Sequence, residues 1–128
     1  MTQAFEPIAI VGQGCVLPGA MSPADLWTAV AEGRDLLSRS EDGAWRVGRD
    51  LVICQPDEDS TDRAWSDRGG YVTGFEAVFD GTRYAVAADE LAVYDPLVRW
   101  SLFAADQALC DGRTSVSEAV RANTGVIF

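Results

Sequence analysis

Five residues between Glu6 and Gly12 restrict the fold more than anything else in the chain. Pro7, Ile8, Ala9, Ile10 and Val11 form an apolar run too short for a helix and rich in branched side chains. Such a run reads as a buried strand of the parallel-sheet kind, which demands cover on both faces. GQGCVLPG follows, and no helix can start in its CVLPG part. Its glycines allow a tight turn. Then Ser22-Pro23-Ala24-Asp25 supplies a helix start, with Ser22 at the N-cap, Pro23 at the first helical position and Asp25 able to reach back. Leu26, Trp27 and Val30 give this helix an apolar face, and Gly33 fits its end. Strand, turn and helix open an α/β layer.

Further along the pattern is interrupted. Residues 38–70 are broken by Gly43, Gly48 and Pro56 and include the acidic stretch Pro56 to Asp62, which reads as an extended functional loop or a surface that packs on something else. Leu51 to Cys54 could form a short strand inside it. Tyr71, Phe75 and Phe79 stand four apart, but Gly74 breaks a helix there, so they read as anchors pinning a loop to a core. Asp95-Pro96 begins the clearest helix, with Leu97, Trp100, Phe103, Ala104 and Ala108 at helical spacing. Leu102, Ala105 and Leu109 widen its stripe, so a largely buried helix is expected, closed by Asp111-Gly112. Ser115 to Glu118 forms a capping box for a short helix to about Ala122. Gly125 to Phe128 reads as another strand, which in an α/β layer needs a covering element. The expectation is an incomplete domain.

Twenty acidic residues against ten arginines and no lysine leave a formal charge of −10. Nucleic acid and anionic membranes are therefore poor partners. No apolar run approaches the roughly 18 residues of a membrane span, and no charged segment leads into an apolar one, so the cytoplasm is the expected compartment.

The candidate chemistry is thin. Gly12-Gln13-Gly14 lacks the third small residue of a dinucleotide fingerprint, since Leu17 holds that place and Pro18 follows. Cys15 has no basic residue near it in sequence before Arg34, which favours a packed thiol over a nucleophile. Cys15, Cys54 and Cys110 are too far apart for a metal half-site or an even disulfide framework. Asp57 with Asp59, and Asp89 with Glu90, read as solvated acids without calcium-loop spacing. The sequence contains no histidine, which removes the usual general base and zinc ligand. No catalytic, cofactor or metal residue is assigned.

EPIAIVGQGCVLPGAMSPADLWTAVAEGRD resembles the N-terminus of the β-ketoacyl synthase domain of polyketide and polyunsaturated-fatty-acid synthases. The likeness runs through Glu6, Pro7, Ile8 to Gly12, Gly14, Cys15, Pro18, Gly19, Ser22, Pro23, Leu26, Trp27, Gly33 and Asp35. The stretch RGGYVTGFEAVFDGTRY resembles the family's segment of two glycines and an aromatic. In the helix from Asp95, the residues Pro96, Arg99, Ala108, Leu109 and Gly112 are kept, and NTGVIF resembles the next strand. Leu97 stands where Gln is common, and WSLFAADQAL is closer to the polyunsaturated-fatty-acid kind.

The resemblance implies a thiolase-like layered fold (αβαβα), with residues 1–128 as the N-terminal portion of a ketosynthase domain. It implies decarboxylative Claisen condensation of an acyl group on an enzyme thiol with a malonyl group on acyl carrier protein. The family's catalytic cysteine and two histidines match no position here, so Cys15 is not that nucleophile and the stretch alone should be inactive. Implied partners are the acyl carrier protein, the remainder of the domain, and a homodimer or a ketosynthase/chain-length-factor pair. A chain-length-factor-like homologue, the same fold without the cysteine, is the alternative. An acidic carrier would favour arginines such as Arg68, Arg83 or Arg99, or a basic patch elsewhere.

Overall fold

The computed structural model describes residues 7–41, 45–55, 61–113 and 117–127. Its regular elements are mostly helices: α1 (Pro23–Ala31), α2 (Arg49–Val52), α3 (Ala88–Val93), α4 (Pro96–Asp111) and α5 (Glu118–Ala122). Two short strands, β1 (Ser38–Arg39) and β2 (Arg68–Gly69), pair antiparallel with Ser38 opposite Gly69 and Arg39 opposite Arg68.

Helix α1 starts as its sequence dictates. Ser22 Oγ accepts the Asp25 backbone N–H at 3.1 Å and donates to Asp25 Oδ2 at 2.7 Å. At its far end Gly33 takes a φ of +64°, a left-handed conformation that costs glycine little. Asp95 caps α4 in the same manner, its Oδ1 accepting the Leu97 N–H at 2.9 Å. The short α5 is capped by Ser117, which accepts from Val120 N–H. The capping residue is therefore two places beyond Ser115, which lies outside the described residues, as do Pro56 to Ser60 and Phe128.

The core is built around Phe75. Its ring lies 5.1 Å from Phe79, 5.5 Å from Phe103 and 6.3 Å from Trp100, the last two edge-to-face, and Phe79 stacks on Tyr84 at 5.6 Å. Gly74, at φ +77°, turns the chain into a single 3₁₀ turn, Phe75–Ala77, that delivers Phe75 to α4. The aromatic anchors expected from sequence are thus Phe75 and Phe79. Tyr71 instead donates its hydroxyl to the Asp67 carbonyl at 2.8 Å.

Among the described residues of 38–70, Arg39, Ser40 and Arg49 gather around one buried carboxylate. Asp67 receives Arg39 Nη1 at 3.2 Å on Oδ1, and Arg49 Nε lies 3.5 Å from Oδ2, while Arg49 also donates to Ser40 Oγ at 3.1 Å. A carboxylate this enclosed is retained because cations answer it. Leu51 and Val52 lie in α2 rather than in a strand, and the pairing expected of this stretch shrinks to a single parallel bridge between Ile53 and Ala64.

Three expectations need correction. Residues Pro7 to Val11 join no ladder among the described residues, and Ile8 and Ile10 are 93% and 86% exposed. A strand exists only through a neighbouring strand, and no described segment pairs with this one. Val126 and Ile127 are likewise unladdered and exposed. Finally, α4 buries no residue completely, and Trp27 and Val30 of α1 face outward. Periodicity marks which face is apolar, but burial requires something opposite it.

Candidate functional site

The feature that organises this chain is the seam between residues 12–15 and α4. A Cβ placed on Gly12 would stand 2.0 Å from Ala108 O, and one on Gly14 would stand 2.0 Å from Ala104 O. Those distances are far inside van der Waals contact. The geometry follows from two rises: two extended residues advance about 6.6 Å and four helical residues about 6 Å. Glycines two apart therefore meet alanines four apart, running antiparallel to the helix. Alanine is the largest side chain that leaves the α4 backbone so approachable, and only glycine can approach it.

Side chains of α4 bind the backbone that these glycines bring close. Asp111 Oδ2 accepts the Gln13 N–H at 3.0 Å, and Gln107 Oε1 accepts the Cys15 N–H at 3.2 Å. The same Gln107 carboxamide donates through Nε2 to the Met21 carbonyl. One residue thereby holds both ends of the turn at residues 17–20, where Leu17 and Ala20 exchange backbone hydrogen bonds at 2.9 and 3.0 Å. Pro18 and Gly19, the latter at φ +66°, occupy the two central positions, as in a type II turn. The tight turn expected at Gly12 and Gly14 is therefore located here. Those two glycines serve close packing.

This arrangement decides the candidate chemistry. Gly12 and Gly14 cannot cradle a pyrophosphate, because helix carbonyl oxygens already occupy that side and α1 begins only at Pro23. Burial pushes the Cys15 thiol up from its ordinary value, and the Asp25 carboxylate adds to the shift. A thiol so placed stays protonated at neutral pH and is a poor nucleophile. Among the described residues no group of His, Cys, Asp and Glu side chains could hold a metal ion. No described helix is long and apolar enough to cross a membrane.

The three arginines favoured for a carrier are each engaged. Arg68 pairs with Asp35, Arg83 Nη2 with Asp106 Oδ2 at 3.0 Å, and Arg99 Nη1 with both Glu76 oxygens at 2.7 and 2.8 Å. Sequence reasoning missed Gln107 and Asp111, the residues that fasten the N-terminal segment. Their signal was present in the spacing, since both flank the Ala104 and Ala108 row on α4.

Beside the seam lies a groove of about 640 Å³ lined by Leu97, Val98, Ser101, Leu102, Ala105 and Val126. The seam and the groove occupy adjoining sectors of α4, while Trp100 and Phe103 point the other way into the aromatic core. One helix therefore has a packed face, a glycine-lined face and an open apolar face.

Comparison with known proteins accounts for this organisation. The model of the β-ketoacyl synthase N-terminal domain matches residues 5–128. Erythronolide synthase EryA2 of Saccharopolyspora erythraea is 38% identical over 106 residues, 81% of this chain and 3% of its own length. Mycoketide-CoA synthase of Mycobacterium tuberculosis is 34% identical over 111 residues, 85% of this chain and 3% of that protein. Among solved structures, the PfaC keto synthase–chain length factor aligns with a TM-score of 0.69 and 30% identity, covering 80% of this chain and 11% of that one. The chain thus spans a small part of the proteins it matches. With its glycine seam, its capped helices and a family match over nearly its whole length, the chain belongs to the β-ketoacyl synthase N-terminal domain family, of thiolase-like fold.

Proposed function

We propose that this chain is the N-terminal portion of a ketosynthase domain, that residues 38–70 are a connecting loop region within it, and that its role there is scaffold. The observation that supports this most directly is the open apolar face of α4, together with the exposed apolar segments Pro7 to Val11 and Val126 to Ile127, which pair with nothing among the described residues. Apolar area of that extent belongs against another layer. The reaction of the whole domain is decarboxylative condensation. An acyl group rests on a cysteine thiol, carrier-bound malonyl loses carbon dioxide, and the resulting carbanion attacks the acyl carbonyl and displaces the thiolate. Two histidines in the same domain stabilise the developing enolate. The present residues supply a layer that positions those groups and assign none of them. The natural partners are acyl carrier protein, the remainder of the domain and a second ketosynthase-type subunit, in the cytoplasm.

A second reading, a chain-length-factor-like subunit that does not condense, draws support from the solved relative, which is described as a keto synthase–chain length factor. Sequencing the adjoining coding DNA and assaying the encoded protein separates the two. A cysteine in a strand-to-helix turn with two later histidines, and carbon dioxide release from malonyl carrier with product formation, establish the synthase. The fold without that cysteine and without condensation establishes the second reading, and a protein with neither pattern overturns both.

A further inference from the structure

We propose that the cleft between α1 and α4 is a binding site for a small organic cation with an apolar body, of the arylalkylammonium class. Two cavities adjoin there, with Gln13 and Pro23 in the walls of both. One, of about 440 Å³, is lined by Cys15, Leu26, Trp27 and Val30, and the other, of about 450 Å³, by Ser22, Ala24, Gln107, Cys110 and Asp111. Each has the size of a small-molecule pocket. Their chemistry differs.

The first cavity is apolar. Trp27 and Val30 are 72% and 64% exposed, so an indole face and a branched side chain stand uncovered beside Leu26. The second cavity ends on a carboxylate. Among the described residues Asp111 is the only charged one lining either cavity, and its hydrogen bond from the Gln13 N–H at 3.0 Å uses Oδ2 alone. No described guanidinium pairs with it, since Arg83 is taken by Asp106 and Arg99 by Glu76, and Arg113 lines neither cavity. Asp25 follows the lining residue Ala24, and its field reaches the Cys15 thiol in the first cavity. Its hydrogen bonds go to Ser22, and no described cation answers it. The charges at the cleft are therefore negative and unneutralised, which favours a cation over an anion.

The cation has to be an organic one. No group of described carboxylates and thiols could hold a metal ion, and Leu26, Trp27 and Val30 offer their surface only to something apolar. An ammonium brings three donors to the Asp111 carboxylate, which has an oxygen to spare. Pro23, shared by the two cavities, lies one turn of α1 before Trp27, about 6 Å along the helix axis. A short alkyl arm spans that distance and lays an aryl group against the indole.

The test titrates the isotope-labelled full chain with phenylbutylamine, protonated at neutral pH, and follows the tryptophan indole resonances by NMR. Phenylbutanol and phenylbutanoate are the neutral and anionic probes with the same body. The ammonium is expected to bind about tenfold more tightly than the alcohol and the carboxylate to bind least. The Trp27 resonance, identified by its loss in Trp27→Phe, should move most. Asp111→Asn, whose amide oxygen can still accept the Gln13 N–H, is expected to weaken the ammonium about tenfold and leave the alcohol within about twofold. Asp89→Asn, the same loss of charge on exposed α3, should leave the ammonium within about twofold. Trp27→Ala, at an exposed position, should weaken ammonium and alcohol alike with an unchanged far-ultraviolet dichroism spectrum. Equal losses in the two Asn variants reduce the effect to net charge and overturn the proposal. So do equal binding of the three probes, unchanged binding in Trp27→Ala, and the lack of a saturable shift with the ammonium.

Discussion

Gly12 and Gly14 carry the tightest constraint in the molecule. Each faces a carbonyl oxygen of α4 at a distance that leaves no room for a methyl group. Gly14→Ala is expected to destabilise the chain by about 1–3 kcal/mol in urea unfolding, because a rigid backbone atom must yield. Gly125→Ala, where nothing lies within 4 Å, should change stability little. Cys15 gives a second test at this scale. Its raised pKa, from burial first and Asp25 second, keeps it protonated where a free thiol begins to ionise. Iodoacetamide at neutral pH should therefore label the exposed Cys110 before the half-buried Cys15, as read by mass spectrometry of the peptides. The lag should narrow as pH rises toward the Cys15 value. Faster labelling of Cys15 would restore the nucleophile reading.

At the level of elements, the caps of α1 and α4 are local chemistry and were legible from Ser22, Pro23, Asp95 and Pro96 alone. The end of α4 at Asp111-Gly112 was legible too, but the backbone conformation there was not. Gly112 stands at the cap with an ordinary right-handed φ, and Arg113 takes the left-handed position at φ +48°. A side chain there costs about 1 kcal/mol relative to glycine. Arg113→Gly is therefore expected to stabilise the chain by about that amount, seen as a higher urea midpoint with an unchanged slope. Helix α3 was not read from sequence, and its six residues lack a side-chain cap. The strand at Pro7 to Val11 was read from composition, but pairing is a property of two segments, and the sequence of one cannot supply the other.

For the molecule as a whole, the open face of α4 is the property that matters. Leu97 lies on it and is 63% exposed. In this chain Leu97→Gln should shift stability by no more than about 0.5 kcal/mol and should lower the fluorescence of a bound apolar dye. In the ketosynthase proposed above, where Gln is common at this position, Leu97→Gln should be tolerated. Val98→Asn in the same groove is instead expected to cost about 2 kcal/mol or more there, because an amide would then be buried without a partner, and no more than about 1 kcal/mol in this chain. Equal small effects of Val98→Asn in both settings would count against the packing role. The sequence by itself determined the family, the capped helices, the apolar stripes and the aromatic anchors, because these depend on neighbours a few residues apart. Only the tertiary structure decided that the two glycines are a packing seam, that Gln107 and Asp111 fasten it, and that Arg68, Arg83 and Arg99 are already paired. Those facts depend on groups separated by up to 98 residues, and what a side chain meets at that distance is fixed by the fold.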